Sequence, residues 1–298
     1  MRLVRVGAEL LSLARGADAR AIFVVGTGRD VGKTTVLVAV YRALRERGVR
    51  AGIASIGREG DASDRQSPRK PRIWLDPGTV FVTARGVLAP TPAVELLETT
   101  DLASSAGALI FGRVAAGGFY QLAGPPTASG AREIADRLAA CTEFVAVDGA
   151  VDRVSALAGS DAAVVVACGA AAAATMDEAV DDAAALVARL RVARFDAHKA
   201  AIELHGALTA SQAARLVAAG ETRQIVVGDP TQIALQGRAG SRALAQLDLR
   251  CRRPLRVIAL AVASIGPQRC FEPQAFAGAL ARATDLPVFD VYAGSRAA

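Results

Sequence analysis

The feature that most constrains this chain is a ten-residue glycine-rich segment between an apolar strand pattern and an amphipathic helix pattern. The apolar run AIFVV precedes the segment, and a helical pattern over 33–47 follows it. Such a junction restricts the chain to folds in which a loop joins a buried strand to the helix that covers it. The segment reads Gly26-Thr27-Gly28-Arg29-Asp30-Val31-Gly32-Lys33-Thr34-Thr35.

The residue types in this segment are typical of a loop that binds phosphate groups. Glycines let backbone N–H groups turn inward, and the following helix adds the positive end of its dipole. We expect Lys33 to act as a catalytic group on the β- and γ-phosphates and Thr34 to ligate Mg²⁺. The strict pattern G-x-x-x-x-G-K-[ST] has glycine where this chain has Thr27. We predict that residues 26–35 contact a nucleotide, the alternative being a glycine-rich turn without a ligand.

A second acidic signal follows a later apolar strand pattern. Asp148 ends the run VAVD and precedes a glycine. A carboxylate at the carboxyl end of a strand, facing the phosphate loop, can hold Mg²⁺ or orient the attacking water. We therefore predict a catalytic and metal-binding role for Asp148. The alternative is an aspartate that caps the next turn.

Two further places are candidates for ligand contacts. Asp61 and Asp64 follow the second strand pattern, and one of them is expected to contact the metal, although a solvated loop acid is an equal alternative for either. No N-K-x-D segment is present, which favours ATP over GTP. Asp229 and Pro230 follow another strand pattern and are predicted to contact the purine at the sheet edge. A proline turn that caps a helix explains them equally well.

Alternating strand and helix patterns predict an α/β fold, with a doubly wound, mostly parallel sheet. The expected strands are 21–26, 50–56, 107–114, 143–148, 162–168, 224–228, 256–265 and 287–291. The expected helices are 33–47, 90–98, 128–140, 175–191, 209–219 and 273–283. Because no repeat or linker divides the chain, we predict one domain over 1–298, with an irregular excursion around 58–126.

Composition excludes several classes of protein. The formal net charge is +6, but the basic cluster at 65–72 has no interleaved aromatic residues, so we expect no nucleic-acid partner. The longest apolar run, 162–174, is too short to cross a bilayer, and we expect no membrane partner. The four cysteines are widely separated, which favours a reducing cytoplasm over a disulfide or zinc framework.

The form G-T-x-x-x-V-G-K-T resembles dethiobiotin synthetases and cobyric acid synthetases, in which threonine at position 27 is normal. This resemblance implies a sheet of seven to eight strands, Mg-ATP over the loop and a second ligand beside the γ-phosphate. The chain departs from the ligases in two places. Residues 53–57 lack the lysine-proline pair of that family, and residues 148–152 lack its glycine-rich run after the acid. Both departures weigh against a ligase.

A closer resemblance extends from residue 55 to residue 292. Its segments are SIGREGD, PRIWLDPGTVFVTARGVL, FYQLAGP, VDGAVDRVSA, VVACGAA with TMDEAV, VVGDPTQI and LPVFDV. They resemble the phosphate-loop subunit of lysine 5,6-aminomutase reactivases. That family implies an ATPase that works with a second reactivase subunit to exchange damaged cobalamin for intact adenosylcobalamin on an aminomutase.

Three hypotheses follow from the sequence. The first is a Mg²⁺-dependent ATPase of the reactivase kind, whose partners are the second subunit and an adenosylcobalamin-dependent aminomutase. The second is an ATP-dependent ligase similar to dethiobiotin synthetase, and the third is a scaffold that binds ATP without hydrolysing it. Relatives with this loop type often place their nucleotides at a dimer interface, which leaves a homodimer open.

Overall fold

The fold was described from a computed structural model, which covers residues 2–56, 72–88, 93–149, 162–235 and 237–292. The strands are β1 (Ala21–Gly26), β2 (Ala51–Ile56), β3 (Ile73–Leu75), β4 (Val80–Ala84), β5 (Val94–Ser104), β6 (Gly107–Val114), β7 (Gly118–Tyr120), β8 (Phe144–Gly149), β9 (Ala162–Gly169), β10 (Ala201–Glu203), β11 (Leu208–Thr209), β12 (Gln224–Val227), β13 (Ile233–Ala234), β14 (Leu249–Cys251), β15 (Arg256–Ala263) and β16 (Val288–Asp290). The helices are α1 (Arg2–Gly16), α2 (Lys33–Glu46), α3 (Ala128–Cys141), α4 (Met176–Leu190), α5 (Ala210–Ala218), α6 (Gly237–Gln246) and α7 (Pro273–Thr284).

A nine-stranded sheet forms the centre of the molecule. Its order is β16-β15-β9-β1-β8-β2-β4-β6-β5, and the seven strands from β16 to β4 are parallel to one another. β6 runs antiparallel to β4, and β5 runs antiparallel to β6. The predicted α/β fold with a mostly parallel sheet is therefore confirmed, with nine strands where seven to eight were expected.

Helices cover both faces of this sheet, because its central strands are apolar throughout. All eight residues of β9 are buried, as are five of the six residues of β1. One face packs against α1 and α2, and the other packs against α3, α4 and α7. Burial on both faces is the arrangement that uninterrupted Val-, Ile- and Ala-rich strands require. The doubly wound topology follows from it.

Most predicted elements agree with the structure, and one predicted helix is wrong. A helix was expected over residues 90–98, but from residue 94 onward this segment belongs to strand β5, which extends to Ser104. β5 and β6 are joined by a two-residue turn, and Gly107 at its end has φ 105°, which favours glycine. Pairing with β6 therefore decided the conformation of a segment whose apolar spacing also fitted a helix.

A small lobe is inserted between α4 and β15. It contains the parallel sheet β10-β12-β14, the strand pair β11-β13 and the helices α5 and α6. Its residues form a hydrophobic cluster of their own, centred on Leu208, Ile225 and Ile233. The prediction that residues 224–228 form a strand of the central sheet is therefore wrong. A single domain over the whole chain stays a prediction.

A buried polar cluster ties α2 to the ribbon formed by β3 and β7. The Tyr41 hydroxyl on α2 accepts from the Asp76 backbone N–H at 2.7 Å and lies 2.9 Å from the Thr79 hydroxyl. The Asp76 carboxylate in turn accepts from the indole N–H of Trp74 at 3.1 Å. Trp74 packs edge to face on Phe119, and both rings are exposed. The helix that follows the glycine-rich loop is thus hydrogen-bonded to a surface ribbon.

No helix in the described ranges combines the length and the apolar character that a membrane-crossing segment needs.

The contact between α1 and α2 generates a stability prediction. A Cβ atom added at Gly7 would lie 2.0 Å from the backbone oxygen of Ala39 on α2. Since a backbone atom cannot move aside, Gly7→Ala should push the helices apart and lower the free energy of unfolding by about 1–3 kcal/mol. Gly16→Ala at the end of the same helix meets nothing within 4 Å and is the control. Urea denaturation with equal midpoints for the two variants would contradict the close packing.

Candidate functional site

The glycine-rich loop leaves β1 at the centre of the sheet and enters α2 through two residues in the left-handed region. The backbone N–H of Thr27 donates to the Ala167 oxygen of β9 at 3.0 Å, which fixes the start of the loop. Asp30 has φ 55° and Gly32 has φ 88°. Gly32 precedes α2, whose first turn has no acidic residue and no side-chain cap. A helix N-terminus without a side-chain cap is a common binding site for anions.

Close packing explains why small residues occur on both sides of the loop. A Cβ atom at Gly26 would lie 2.7 Å from the Val31 side chain, and Val31 is buried under the loop. A Cβ atom at Gly28 would lie 3.0 Å from that of Ala172, and one at Gly32 would lie 3.2 Å from that of Ala263. The loop is thus held by the chain that follows β9 and by the end of β15.

The Lys33 ammonium group bends back over the loop. Its Nζ atom donates to the backbone oxygen of Gly28, five positions earlier in the chain, at 2.6 Å. This contact holds the positive charge at the loop rather than in solvent. Lys33 is therefore positioned to exchange a carbonyl oxygen for a phosphate oxygen, which is a stronger, charge-assisted acceptor.

Thr34 and Asp148 meet at the carboxyl edge of the sheet. The Thr34 hydroxyl donates to Asp148 Oδ2 at 3.0 Å, although the residues are 114 positions apart in the sequence. Asp148 is 5% exposed and lies beside Val24 of β1 and Ser55 of β2 in the strand register. The structure thus brings together two of the predicted metal-binding residues. Their hydroxyl and carboxylate oxygens are the hard donors that Mg²⁺ prefers.

Thr27 occupies the position at which the strict pattern has glycine, and its hydroxyl group is buried beside Cys168 of β9. Burial raises the pKa of the neighbouring Cys168 thiol to about 12, and the Thr27 hydroxyl opposes that shift only in part. Cys168 therefore remains a neutral thiol at physiological pH.

The remaining predicted residues of the loop lie at its outer surface or at the start of α2. Arg29 and Asp30 are exposed, and Thr35 is half-buried in the first turn of the helix. Asp61 and Asp64 lie outside the described residues, so the choice between them as a metal ligand stays open. No group of three or more His, Cys, Asp or Glu side chains arranged for a metal ion occurs within the described ranges. Mg²⁺ held by one carboxylate, a hydroxyl and phosphate oxygens does not require such a group.

Asp229 and Pro230 do not lie at the carboxyl edge of the central sheet, because they follow β12 of the small lobe. The expected place is wrong, and a purine contact of these residues stays a prediction. The Asp229 carboxylate accepts from the backbone and hydroxyl of Thr231 and caps the short turn that begins at Pro230. This turn lies against the end of α4, where Arg189 donates to the Ile233 oxygen. The opposite end of α4 follows the chain that packs on the glycine-rich loop. Because α4 has 15 residues, its two ends are about 22 Å apart at 1.5 Å per residue. The capping role explains this motif.

Sequence reasoning missed the segment that follows β15. Residues 264–271 reach over the chain after β9, and the Arg269 guanidinium donates to the Ala173 oxygen at 3.0 Å. The only signal was topological, since β15 pairs with β9 and β9 pairs with β1. Ends of neighbouring parallel strands meet at one edge, so this segment had to lie near the loop.

Comparison with known proteins gives one match, and it falls on the loop. Residues 11–64 match the family described as "Domain of unknown function (DUF1611_C) P-loop domain". No curated protein matches the chain significantly. No solved structure does so either. The matched range contains residues 26–35 and supports a P-loop domain in this part of the chain.

The position of Lys33 leads to a binding prediction. Lys33→Ala should reduce Mg-ATP binding below detection in calorimetry, because the charge that faces the phosphates is lost. The melting temperature should remain within a few degrees of the original, since this side chain contributes to the loop and not to the core. Lys199→Ala, which alters an exposed lysine in the small lobe, is the matched control. Undiminished binding by Lys33→Ala would remove Lys33 from the site.

Proposed function

We propose that this protein is a Mg²⁺-dependent ATPase that serves as a reactivase for an adenosylcobalamin-dependent aminomutase. The observation that carries the ATPase part is the 3.0 Å hydrogen bond between the buried Asp148 carboxylate and the hydroxyl of Thr34, the residue that follows Lys33. A glycine-rich turn that binds no ligand needs neither a lysine at the start of the following helix nor a buried acid beside it. A site for a triphosphate with its metal needs both.

The residues of the chain divide the work of binding between them. The backbone of residues 26–32 and the open N-terminus of α2 surround the phosphates, and Lys33 neutralises charge on the β- and γ-groups. The Thr34 hydroxyl and the Asp148 carboxylate would hold Mg²⁺, directly or through water. When bound, this ion neutralises the charge that develops on the phosphate oxygens. Asp61 or Asp64 is proposed as an additional contact.

Hydrolysis requires a group that orients water in line with the terminal phosphate. Asp148 is the buried carboxylate beside the loop, and its position at the end of β8 suits this role. The water oxygen attacks phosphorus, the bond to the β-phosphate oxygen breaks, and the products are ADP and phosphate. We expect slow turnover without a partner, because phosphate-loop enzymes are commonly accelerated by an arginine that a partner supplies beside the terminal phosphate.

The reactivase part of the proposal is supported by where the resembling segments lie. VVACGAA supplies the end of β9, where a Cβ atom at Gly169 would lie 3.1 Å from the Val31 backbone of the loop. LPVFDV supplies β16, with Val291 3.5 Å from a Cβ atom at Gly32. FYQLAGP lies over the end of β2, where Gly124 is packed against the Ser55 oxygen. Two of the resembling segments therefore pack on the loop, and a third packs on the neighbouring strand β2.

A reactivase needs ATP to drive a change of state. Radical mutases lose the adenosyl group of their cofactor, and the remaining corrinoid does not leave unaided. Binding and hydrolysis of ATP can alternate the protein between two states that differ in affinity for the damaged enzyme. The second reactivase subunit and the aminomutase are the proposed partners.

The role of Asp148 yields a kinetic prediction. Asp148→Asn keeps the shape of the side chain and removes its charge, so Mg-ATP should still bind while hydrolysis slows by roughly ten- to a hundredfold. Single-turnover ATP hydrolysis followed by phosphate release measures the effect. Asp177→Asn in the first turn of α4, an exposed acid, is the control. A variant that fails to fold would instead assign Asp148 a structural role.

The three functional hypotheses differ in what accompanies ADP release. For a reactivase, ADP release should rise several-fold when an aminomutase carrying damaged cobalamin and its second subunit are added, and mutase activity should return once adenosylcobalamin is supplied. A ligase would instead consume a diamine or carboxylic acid together with ATP. A scaffold would hold ATP unhydrolysed for hours. Either of the last two results would overturn the reactivase assignment.

A further inference from the structure

Helix α2 carries two hydroxyl groups that bond to fixed points of the central sheet. Thr34 and Tyr41 are close to two helical turns apart, so both side chains leave the helix on nearly the same side. The Thr34 hydroxyl bonds to Asp148 near the carboxyl end of β8. The Tyr41 hydroxyl bonds to the turn of residues 76–79, which precedes β4. At 1.5 Å per residue, the two attachments are about 10 Å apart along the axis of α2.

The turn of residues 76–79 is a fixed reference for α2, because it is bonded to the sheet. The Gly78 N–H donates to the Val114 oxygen at 2.8 Å, and the Val114 N–H donates to the Thr79 oxygen at 2.9 Å. Val114 ends β6, and Thr79 directly precedes β4. β4 and β8 both pair with β2 in the same sheet. The buried strands therefore fix the separation between the groups that receive the two hydroxyls.

The two attachments lie towards opposite edges of the parallel part of the sheet. Asp148 is near the carboxyl end of β8, whereas residues 76–79 precede the amino end of β4, and both strands run parallel to β2. α2 starts beside the glycine-rich loop at the first edge and returns towards the second. Because a helix is a rigid element, a displacement at Tyr41 is carried along α2 to Thr34.

The Tyr41 hydroxyl is held by three contacts. It accepts from the Asp76 backbone N–H at 2.7 Å, and it lies 3.1 Å from Asp76 Oδ2 and 2.9 Å from the Thr79 hydroxyl. Burial raises the pKa of Tyr41, so the hydroxyl keeps its proton as a donor to one of these two oxygens. Arg45, one turn later on α2, lies 3.6 Å from the same Asp76 oxygen. This cluster is the polar attachment of the middle of α2.

The apolar contacts of α2 do not fix its position as sharply. Leu37, Val40 and Leu44 are buried in the same hydrophobic cluster as residues of β1 and β2. Hydrophobic burial is non-directional, whereas a hydrogen bond weakens steeply as its angle departs from linearity. The Tyr41 hydroxyl therefore limits how far α2 slides along its axis or turns about it.

A bound Mg²⁺ ion would be the part of the ligand most sensitive to such a displacement. Mg²⁺ demands oxygen ligands in near-octahedral geometry at about 2.0–2.1 Å. Backbone N–H groups and a long lysine side chain accept a broader range of distances to phosphate oxygens. The place of the Thr34 hydroxyl beside Asp148 therefore matters more for the metal than for the phosphates.

We propose that Tyr41 is a positioning residue for the metal side of the nucleotide site. Its bonds to Asp76 and Thr79 hold α2 so that the Thr34 hydroxyl stays beside the Asp148 carboxylate, where the two can share one Mg²⁺ ion. The role assigned to Tyr41 rests on the proposed nucleotide site. It belongs to a buried residue of the helix and not to the glycine-rich loop itself.

Calorimetry with a non-hydrolysable ATP analogue tests this role on the full chain, once with Mg²⁺ and once with EDTA. The ratio of the two affinities is the gain from the metal. Tyr41→Phe keeps the ring and removes the hydroxyl, so it should reduce this gain roughly tenfold and leave the affinity in EDTA within about twofold. Tyr120→Phe is the matched control and should keep the full gain, because it removes a hydroxyl that donates to the Ala116 oxygen instead of bonding to α2.

Thr79→Val tests the same contact from the other side. It removes the hydroxyl that lies 2.9 Å from that of Tyr41 and keeps the shape of the side chain. The gain from the metal should again fall while the affinity in EDTA is kept. Urea denaturation shows which variants fold, and Thr79→Val decides the question if Tyr41→Phe does not.

The outcomes separate this inference from the function on which it rests. If the original chain does not bind the analogue, the nucleotide site is refuted, and the role of Tyr41 with it. If the analogue binds without any gain from Mg²⁺, the metal-binding pair and the role of Tyr41 are refuted, whereas the phosphate site stands. If Tyr41→Phe keeps the gain, or loses affinity equally with and without the metal, the site stands and the positioning role is refuted.

Discussion

The site depends on the burial of β1 between β8 and β9. Since both faces of these strands are covered by helices, their order and direction are fixed by apolar contacts that a change at the surface does not disturb. Parallel pairing then brings the carboxyl ends of the three strands to one edge. The glycine-rich loop, Asp148 and the chain that follows β9 meet there because their strands are neighbours.

Much of the central fold could be predicted because burial on both faces leaves a simple pattern. The strands that contain AIFVV, VAVD and AAVVVA are continuously apolar, and the structure has them within one or two residues of the expected bounds. The loop of residues 26–35 was predictable for a different reason. Its residue types are those that phosphate binding favours, and Lys33 and Thr34 make contacts that fit the predicted roles.

The errors occur where the partner of a segment decides its structure. β5 has exposed residues on both faces, so its apolar spacing fitted a helix as well as a strand, and pairing with β6 determines its conformation. β12 is as apolar as a central strand, because it is buried in the core of the small lobe. The apolar pattern of a strand indicates that the strand is buried, but it does not indicate which hydrophobic core contains it. For this reason Asp229 was expected at the edge of the central sheet, although it follows a strand of the small lobe.

The cluster around Tyr41 has a consequence for how the molecule can be observed. Trp74 is the one tryptophan of the chain, and its indole is hydrogen-bonded to the same Asp76 that receives the Tyr41 hydroxyl of α2. An axial shift or rotation of that helix would change the polarity around the indole. The fluorescence of Trp74 should therefore report a movement of α2, and the native protein carries its own optical probe without added dye.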